Sequence, residues 1–183
     1  MRRKARLSTI CVGALALVSA AWTQPPSAKQ DDAEREAPGV GVARRGTATV
    51  EDAYRQFLSL AVTHGRVQLK QDEDELSFDE VAAQLEALGI IDCNWSFAAQ
   101  TCLTRDVLAY MSASYLGCRP GLITGVFGMT RRYAHREMVY RGIVRPGAPG
   151  TFVSGSELLS VATRVSRRVE AHRDVKLNDS EIH

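Results

Sequence analysis

"LEALGIIDCNWSFAAQTCLTRDVLAYM" (Leu85–Met111) contains the end of one apolar run, a polar loop and the start of a second apolar run. The first run is spaced as in a helix and stops at Gly89, where Ile90 and Ile91 follow. Glycine directly after such a run is typical of a helix C-terminus. Thr104 precedes the second run, as an N-cap residue would. The stretch therefore predicts a helix, a loop and a second helix.

A weaker copy of this pattern lies at Met138–Val165, "MVYRGIVRPGAPGTFVSGSELLSVATRV". Its first run ends at Gly142, and a β-branched pair follows there too. In each loop a polar turn is followed by an aromatic residue, Phe97 in the first copy and Phe152 in the second. We expect the β-branched pair to pack under the helix and the aromatic residue to plug the loop.

Helix starts recur along the chain. Hydroxyl residues precede apolar runs at five places: Thr49, Ser77, Thr104, Thr130 and Ser154. Their spacings are 28, 27, 26 and 24 residues, which indicates repeated helical units. Three of the five have an acid three residues later, the pattern of a capping box. The sequence predicts an all-α fold with helices over about 50–64, 78–88, 104–116, 131–141 and 154–171.

The termini are expected to lie outside this domain. Residues 1–21 combine a basic start, a short apolar run and small residues, the pattern of a secretory signal peptide. An uncleaved anchor is the alternative. Residues 22–48 and 173–183 have the composition of a disordered linker and tail, which leaves 49–172 as the folded domain. The chain is then exported to the periplasm, the cell envelope or the extracellular space, with no transmembrane segment after signal cleavage.

Charge is unevenly divided. Residues 49–118 carry 4 basic and 11 acidic side chains, whereas residues 119–176 carry 11 basic and 4 acidic ones. This division indicates that one half docks on the other, that a basic face meets an anionic partner, or that the helix faces are simply solvated. Nucleic acid is not expected to be the partner of an exported chain.

Arginines dominate the basic half. Five of them form a basic cluster on one predicted helix and its exit: Arg131, Arg132, Arg136, Arg141 and Arg145. This cluster is a candidate for attraction to an anionic envelope polymer, with solvated faces or docking to the acidic half as the alternatives.

The two copies resemble the repeat of the S-layer homology family. In that family a Gly-Ile-Ile-type motif ends the first helix, and a Gly-Thr-Phe loop and a "TRAE" motif open the second. The matching residues are "ALGII", Phe97 and "LTRDVLAYM" in the first copy, and "YRGIV", "GTF" and "VSGSELLSVATRV" in the second. The resemblance covers about 77–171, with a partial copy at 49–64. It implies a compact bundle of helix–loop–helix repeats.

The resemblance also implies a function. The family binds anionic cell-wall polysaccharide in grooves between repeats through the motif arginine. Here only Arg105 stands at the position of that arginine, because the second copy has Gly155 there, and the adjacent Thr104 is a further candidate glycan-binding residue. Arg105 would bind an acidic sugar through its planar guanidinium group, or it would pair with Asp106 or with the acidic residues of 72–80.

Trp95 and the cysteines lie in the first loop. Trp95 would stack on a sugar ring or anchor the loop, and Phe97 is expected in the core. Export favours a disulfide between Cys93 and Cys102, with Cys93–Cys118 as the competitor. The cysteines lack the spacing of a zinc site, so we expect no metal.

No enzyme motif or cofactor motif is present in the sequence. We therefore expect a non-catalytic, secreted envelope protein that needs no cofactor and binds an anionic polysaccharide of the cell wall or envelope. The alternative is a periplasmic module that has lost the glycan site and binds another envelope protein.

Overall fold

The computed structural model describes residues 40–44, 46–69, 72–118 and 129–180, with side chains from 41 to 173. The predicted signal peptide and most of the predicted linker lie outside these residues. The described residues form six α-helices: α1 (Val40–Arg44), α2 (Val50–Thr63), α3 (Phe78–Ala87), α4 (Arg105–Tyr115), α5 (Arg131–Tyr140) and α6 (Gly155–Ser180). A short 3₁₀ turn covers Glu73–Glu75. The all-α prediction is confirmed.

Side-chain caps fix the helix starts at the predicted residues. Thr49 accepts from the Asp52 N–H and Ser77 accepts from the Glu80 N–H, and each acid bonds back to the cap residue. These are complete capping boxes. The Thr130 hydroxyl caps α5 in a simpler way, by accepting from the Tyr133 N–H. Local sequence is therefore sufficient to start three of the helices.

Glycines end the helices as predicted. Gly65, Gly89, Gly117 and Gly142 all have φ between 61° and 70°, the left-handed region that costs a residue without Cβ nothing. The next N–H then reaches back to the helix, for example from Ile90 to the Leu85 carbonyl at 2.9 Å. This turn directs both β-branched pairs, at 90–91 and 143–144, into the core.

A ring of backbone hydrogen bonds joins the starts of α2, α4 and α6. The Ala48 N–H donates to the Val153 carbonyl (2.8 Å), the Val153 N–H to Leu103 (3.0 Å) and the Leu103 N–H to Ala48 (2.8 Å). All three residues are fully buried. Each stands two positions before the first residue of its helix, so the ring holds three helix N-termini side by side.

The helices pack around one core. α4 packs on α5, α2 packs on α3, and α6 contacts α1, α2 and α4. The largest fully buried side chains come from all of α2–α6 and include Phe57, Leu85, Tyr115, Met138 and Leu158. The core thus forms between helices whose ends are marked in the sequence by cap residues and glycines.

Helical structure continues on both sides of residues 49–172. Helix α1 and the buried Ala48 fall within the predicted linker, because Ala48 is a member of the backbone ring and α1 packs on α6. At the other end, α6 continues to Ser180, beyond residue 173 where a disordered tail was expected. Helix α1 and Ala48 make contacts with residues distant in the chain, which local composition does not reveal.

Candidate functional site

Arg105 opens α4 beneath a loop of the second copy. Its N–H donates to the Thr151 carbonyl and the Asp106 N–H donates to the Pro149 carbonyl, each at 2.9 Å. These carbonyls satisfy N–H groups that a helix start leaves free. Thr104 consequently makes no side-chain cap bond, and its hydroxyl donates to the Asp106 carboxylate at 2.6 Å instead.

The Arg105 guanidinium is already paired. Its Nε and Nη2 donate to the two carboxylate oxygens of Glu157, at 3.0 and 3.2 Å. The two side chains are only 14% and 11% exposed. The expected pairing with Asp106 or with residues 72–80 is therefore wrong, because Glu157 at the start of α6 offers a bidentate partner across the joint between helices. Two of the five N–H donors of the guanidinium group are thereby used.

A glycine covers the remaining edge of Arg105. A Cβ on Gly147 would stand 2.2 Å from Nη1 of Arg105. The loop can therefore lie against the guanidinium only because residue 147 has no side chain. Arg105 is enclosed by Glu157 on one side and Gly147 on the other.

A second pair continues this network. Asp106, which accepts from Thr104, also lies 3.6 Å from Nε of Arg131. This is the only ion pair, among the residues that the structure describes, between the predicted basic cluster and the acidic half. In the contact between the acidic half and the basic half, Arg131 is thus the arginine of the cluster that forms an ion pair.

His135 of α5 is a polar residue that the sequence analysis missed. It is 5% exposed, and its Nε2 has no hydrogen-bond partner among the described residues. Burial lowers the pKa of His135, and the charge of Arg105 lowers it further, whereas Asp106 acts in the opposite direction. The histidine is therefore held neutral beside the Arg105 network. A lone histidine on a helix gives no sequence signal of this burial.

The ring of Trp95, in the loop before α4, packs against Tyr110 of that helix. Its ring centroid is 4.9 Å from that of Tyr110 and 5.4 Å from that of Phe97. Trp95 and Phe97 are both partly buried against the core, so the contacts are those of a loop anchor. Phe152, by contrast, is 61% exposed. The expectation that an aromatic residue plugs the second loop is wrong, because the neighbouring Val153 enters the core instead.

The cysteines of the first loop are free thiols in the structure. Cys93 and Cys102 are exposed, and Cys118 is buried. The predicted Cys93–Cys102 bond is therefore absent. Cys93 lies in the turn that Asp92 closes with the Asn94 N–H, whereas Cys102 forms a β-bridge with Thr49. A bond between them in an oxidising compartment stays a prediction.

The rest of the basic cluster divides into two groups. Arg141 pairs with Glu137 of its own helix at 2.6 Å. Arg132, Arg136 and Arg145 are exposed and have no ion pair within the described part of the chain. We call these three the exposed patch.

A cavity of about 280 Å³ lies at the opposite ends of the helices from the backbone ring. It is lined by Arg66, Leu116, Arg141, Arg168, Val169, His172 and Arg173. Four of these seven residues are arginines and none is acidic. Only Arg141 belongs to the predicted cluster, because the others come from segments that meet only in the tertiary structure.

The start of α6 packs closely against α1. A Cβ on Gly155, the residue that the predicted repeat aligns with Arg105, would stand 1.6 Å from the Val42 carbonyl oxygen. Helix α1 thus fills the space that a side chain at 155 would need.

Within the described residues, no helix combines the length and apolar character of a membrane span. In the same residues, histidine, cysteine and acidic side chains form no group of three suited to a metal. Searches of the chain against family models, curated proteins and solved structures gave no match.

Proposed function

We propose that this chain is a non-catalytic, exported binding module of S-layer-homology-like build that holds an anionic envelope polysaccharide on its exposed patch. The observation that carries the proposal is that Arg132, Arg136 and Arg145 are exposed and lack acidic partners among the described residues. Arg132 and Arg136 are four residues apart on α5, so they share one helix face. A polymer with carboxylates suits such exposed guanidinium groups.

The repeat-like build is supported by the backbone ring. Residues 48, 103 and 153 take equivalent places, and the bonds from the helix starts recur: the Val50 N–H donates to Thr101 as the Arg105 N–H donates to Thr151. In this proposal Arg105 has become a joint between α4 and α6. The polymer contacts the exposed patch instead. The pairing of Arg105 with Glu157 does not involve any residue of this patch.

The second candidate is a protein-interaction module of the same build. The enclosure of Arg105 by Glu157 and Gly147 favours it, since a groove arginine that binds a glycan needs its donors free. The exposed patch favours the polysaccharide, because its charge is not neutralised within the described residues.

Co-sedimentation of the full chain with purified anionic cell-wall polymer separates these candidates. We expect the chain to sediment at low salt and to be released as salt is raised, because exposed charge contacts are screened. The triple variant Arg132→Gln, Arg136→Gln and Arg145→Gln should stay in the supernatant.

A matched control uses Arg105. The double variant Arg105→Met and Glu157→Met removes one charge of each sign and leaves the exposed patch intact, so it should sediment like the wild type. Failure of the wild type to sediment would remove the polysaccharide proposal and leave the protein-interaction module. If the folded double variant lost binding, the polymer contact would be assigned to Arg105 and not to the exposed patch.

A further inference from the structure

The arginine-lined cavity gathers positive charge from three parts of the chain. Arg66 follows α2, Arg141 follows α5, and Arg168 and Arg173 belong to α6. Leu116 and Val169 supply apolar lining. Like charges around one cavity repel each other, so this arrangement costs free energy unless an anion compensates it.

Three of the four arginines are held in place. Arg66 donates from Nη1 to the Tyr115 carbonyl at 2.7 Å, and its guanidinium lies 4.1 Å from the centroid of the Tyr115 ring. Arg173 donates from Nη2 to the His64 carbonyl. Arg141 is held by Glu137. Each of these arginines uses one of several N–H donors in the bond, so further donors remain for a ligand.

The helix ends explain only part of this arrangement. The carbonyls of His64 and Tyr115 lie at the C-termini of α2 and α4, where unpaired carbonyls attract cations. That accounts for one bond each from Arg173 and Arg66. It does not account for Arg168, which is exposed at the cavity and has no hydrogen bond or ion pair among the described residues.

Among the described residues, ion pairs offset only one of the four charges of the cavity, that of Arg141. Glu137 is engaged with Arg141, and Glu170 accepts from the Ser166 hydroxyl at 3.2 Å. Neither of them lines the cavity. A ligand with more than one negative charge matches four arginines better than a single carboxylate does, and the planar guanidinium fits phosphate oxygens in a bidentate manner.

We infer that this cavity is a binding site for a phosphate group, with Arg168 as its unpaired ligand and Arg66, Arg141 and Arg173 as preorganised ones. Side chains that are already fixed lose little conformational freedom when a ligand binds. The inference goes beyond polysaccharide binding, because the exposed patch does not line the cavity. It covers both free phosphate and a phosphate ester.

The test is calorimetric titration of the full chain in phosphate-free buffer at low ionic strength. We expect inorganic phosphate to bind at one saturable site and acetate to bind at least tenfold more weakly. A parallel titration with glycerol phosphate distinguishes a phosphate ester from free phosphate as the ligand. Tighter binding than inorganic phosphate indicates an ester, and weaker binding indicates the free anion.

Two variants locate the site. Arg168→Gln should weaken phosphate binding about tenfold or more, because a charged hydrogen bond is lost where no internal bond depends on it. Arg132→Gln removes the same charge from the exposed patch and should change the affinity less than twofold. The inference is overturned if the wild type shows no saturable phosphate binding, if acetate binds equally well, or if both variants lose affinity equally. None of these outcomes bears on the proposed polymer binding, because that proposal depends on the exposed patch and is tested by sedimentation.

Discussion

Glu157 differs from the other acids at the third position of a helix. Asp52 and Glu80 turn back to their own cap residues. Glu157 instead extends to Arg105, and only its N–H bonds to the Ser154 hydroxyl. A nearby guanidinium outcompetes a local cap because a bidentate charged pair is stronger than a bond to a backbone N–H. The predicted capping box at Ser154 is therefore only half formed.

This pair should be measurable as a coupling energy. Arg105→Ala leaves the Glu157 carboxylate buried without its partner, which should lower the free energy of unfolding by about 3 kcal/mol. The double variant Arg105→Met and Glu157→Met should cost less than the sum of the two single substitutions, because it leaves no unpaired charge. Urea unfolding of the four proteins gives the cycle. Additive costs would show that the pair contributes no coupling.

Two buried histidines predict loss of stability in mild acid. Burial lowers the pKa of His64, as do Arg173 and Arg66, although Glu170 opposes them, and burial is also the main cause at His135. Below the unfolded value of about 6.5, the unfolded chain therefore binds more protons than the folded one. Stability should be retained above pH 6.5 and should fall below it by at most about 1.4 kcal/mol per pH unit for each histidine.

Urea unfolding at pH 7.5, 6.5 and 5.5 measures this loss, in a range where carboxylates contribute little. His135→Leu serves as the comparison, since it removes one of the two titrating groups and should give a shallower decline. Equal slopes for the two proteins would contradict the assignment to His135.

Helix ends carry most of the information at the scale of the elements. Four glycines with positive φ and three side-chain caps mark boundaries that lie within one residue of those expected for α2 to α5. These signals can be read in the sequence because each acts over three to five residues. Helix α1 has only five residues, too few for apolar spacing to indicate a helix.

Gly155→Ala tests the packing of α1 on α6. The new Cβ would meet the Val42 carbonyl, so we expect α1 to be displaced and amide exchange at residues 40–48 to become faster. Gly150→Ala is a suitable control, because a Cβ there meets nothing within 4 Å. Unchanged exchange in the Gly155 variant would mean that α1 shifts without losing its contacts.

The backbone ring organises the whole molecule. It closes over Ala48, Leu103 and Val153, which are far apart in the chain, and it places three helix starts together. The ends of the helices away from this ring carry the arginine-lined cavity. The Arg105–Glu157 pair lies at the starts of α4 and α6, whereas three of the four cavity arginines have no ion pair among the described residues, so the two ends differ in charge.

Truncation distinguishes the domain that starts at residue 49 from the one in the structure. A chain that begins at residue 49 lacks Ala48 and leaves the Val153 carbonyl and the Leu103 N–H without their ring partners. Two buried unsatisfied groups cost about 1–3 kcal/mol each, so its thermal midpoint should drop by several degrees. A chain that begins at residue 40 keeps the ring and should melt near the full-length protein. Equal midpoints would contradict a structural role for 40–48.

Sequence alone determined the all-α class, the starts and ends of α2 to α5 and the burial of the β-branched pairs, since caps, glycine turns and apolar spacing act over one or two helical turns. Tertiary structure alone decided which charges are free. Arg105 was the expected ligand and is occupied by Glu157, 52 positions away, whereas the cavity draws its arginines from three separate segments. The physical reason is that an ion pair or a cavity depends on distances between residues remote in the chain, and these distances exist only after the helices have packed.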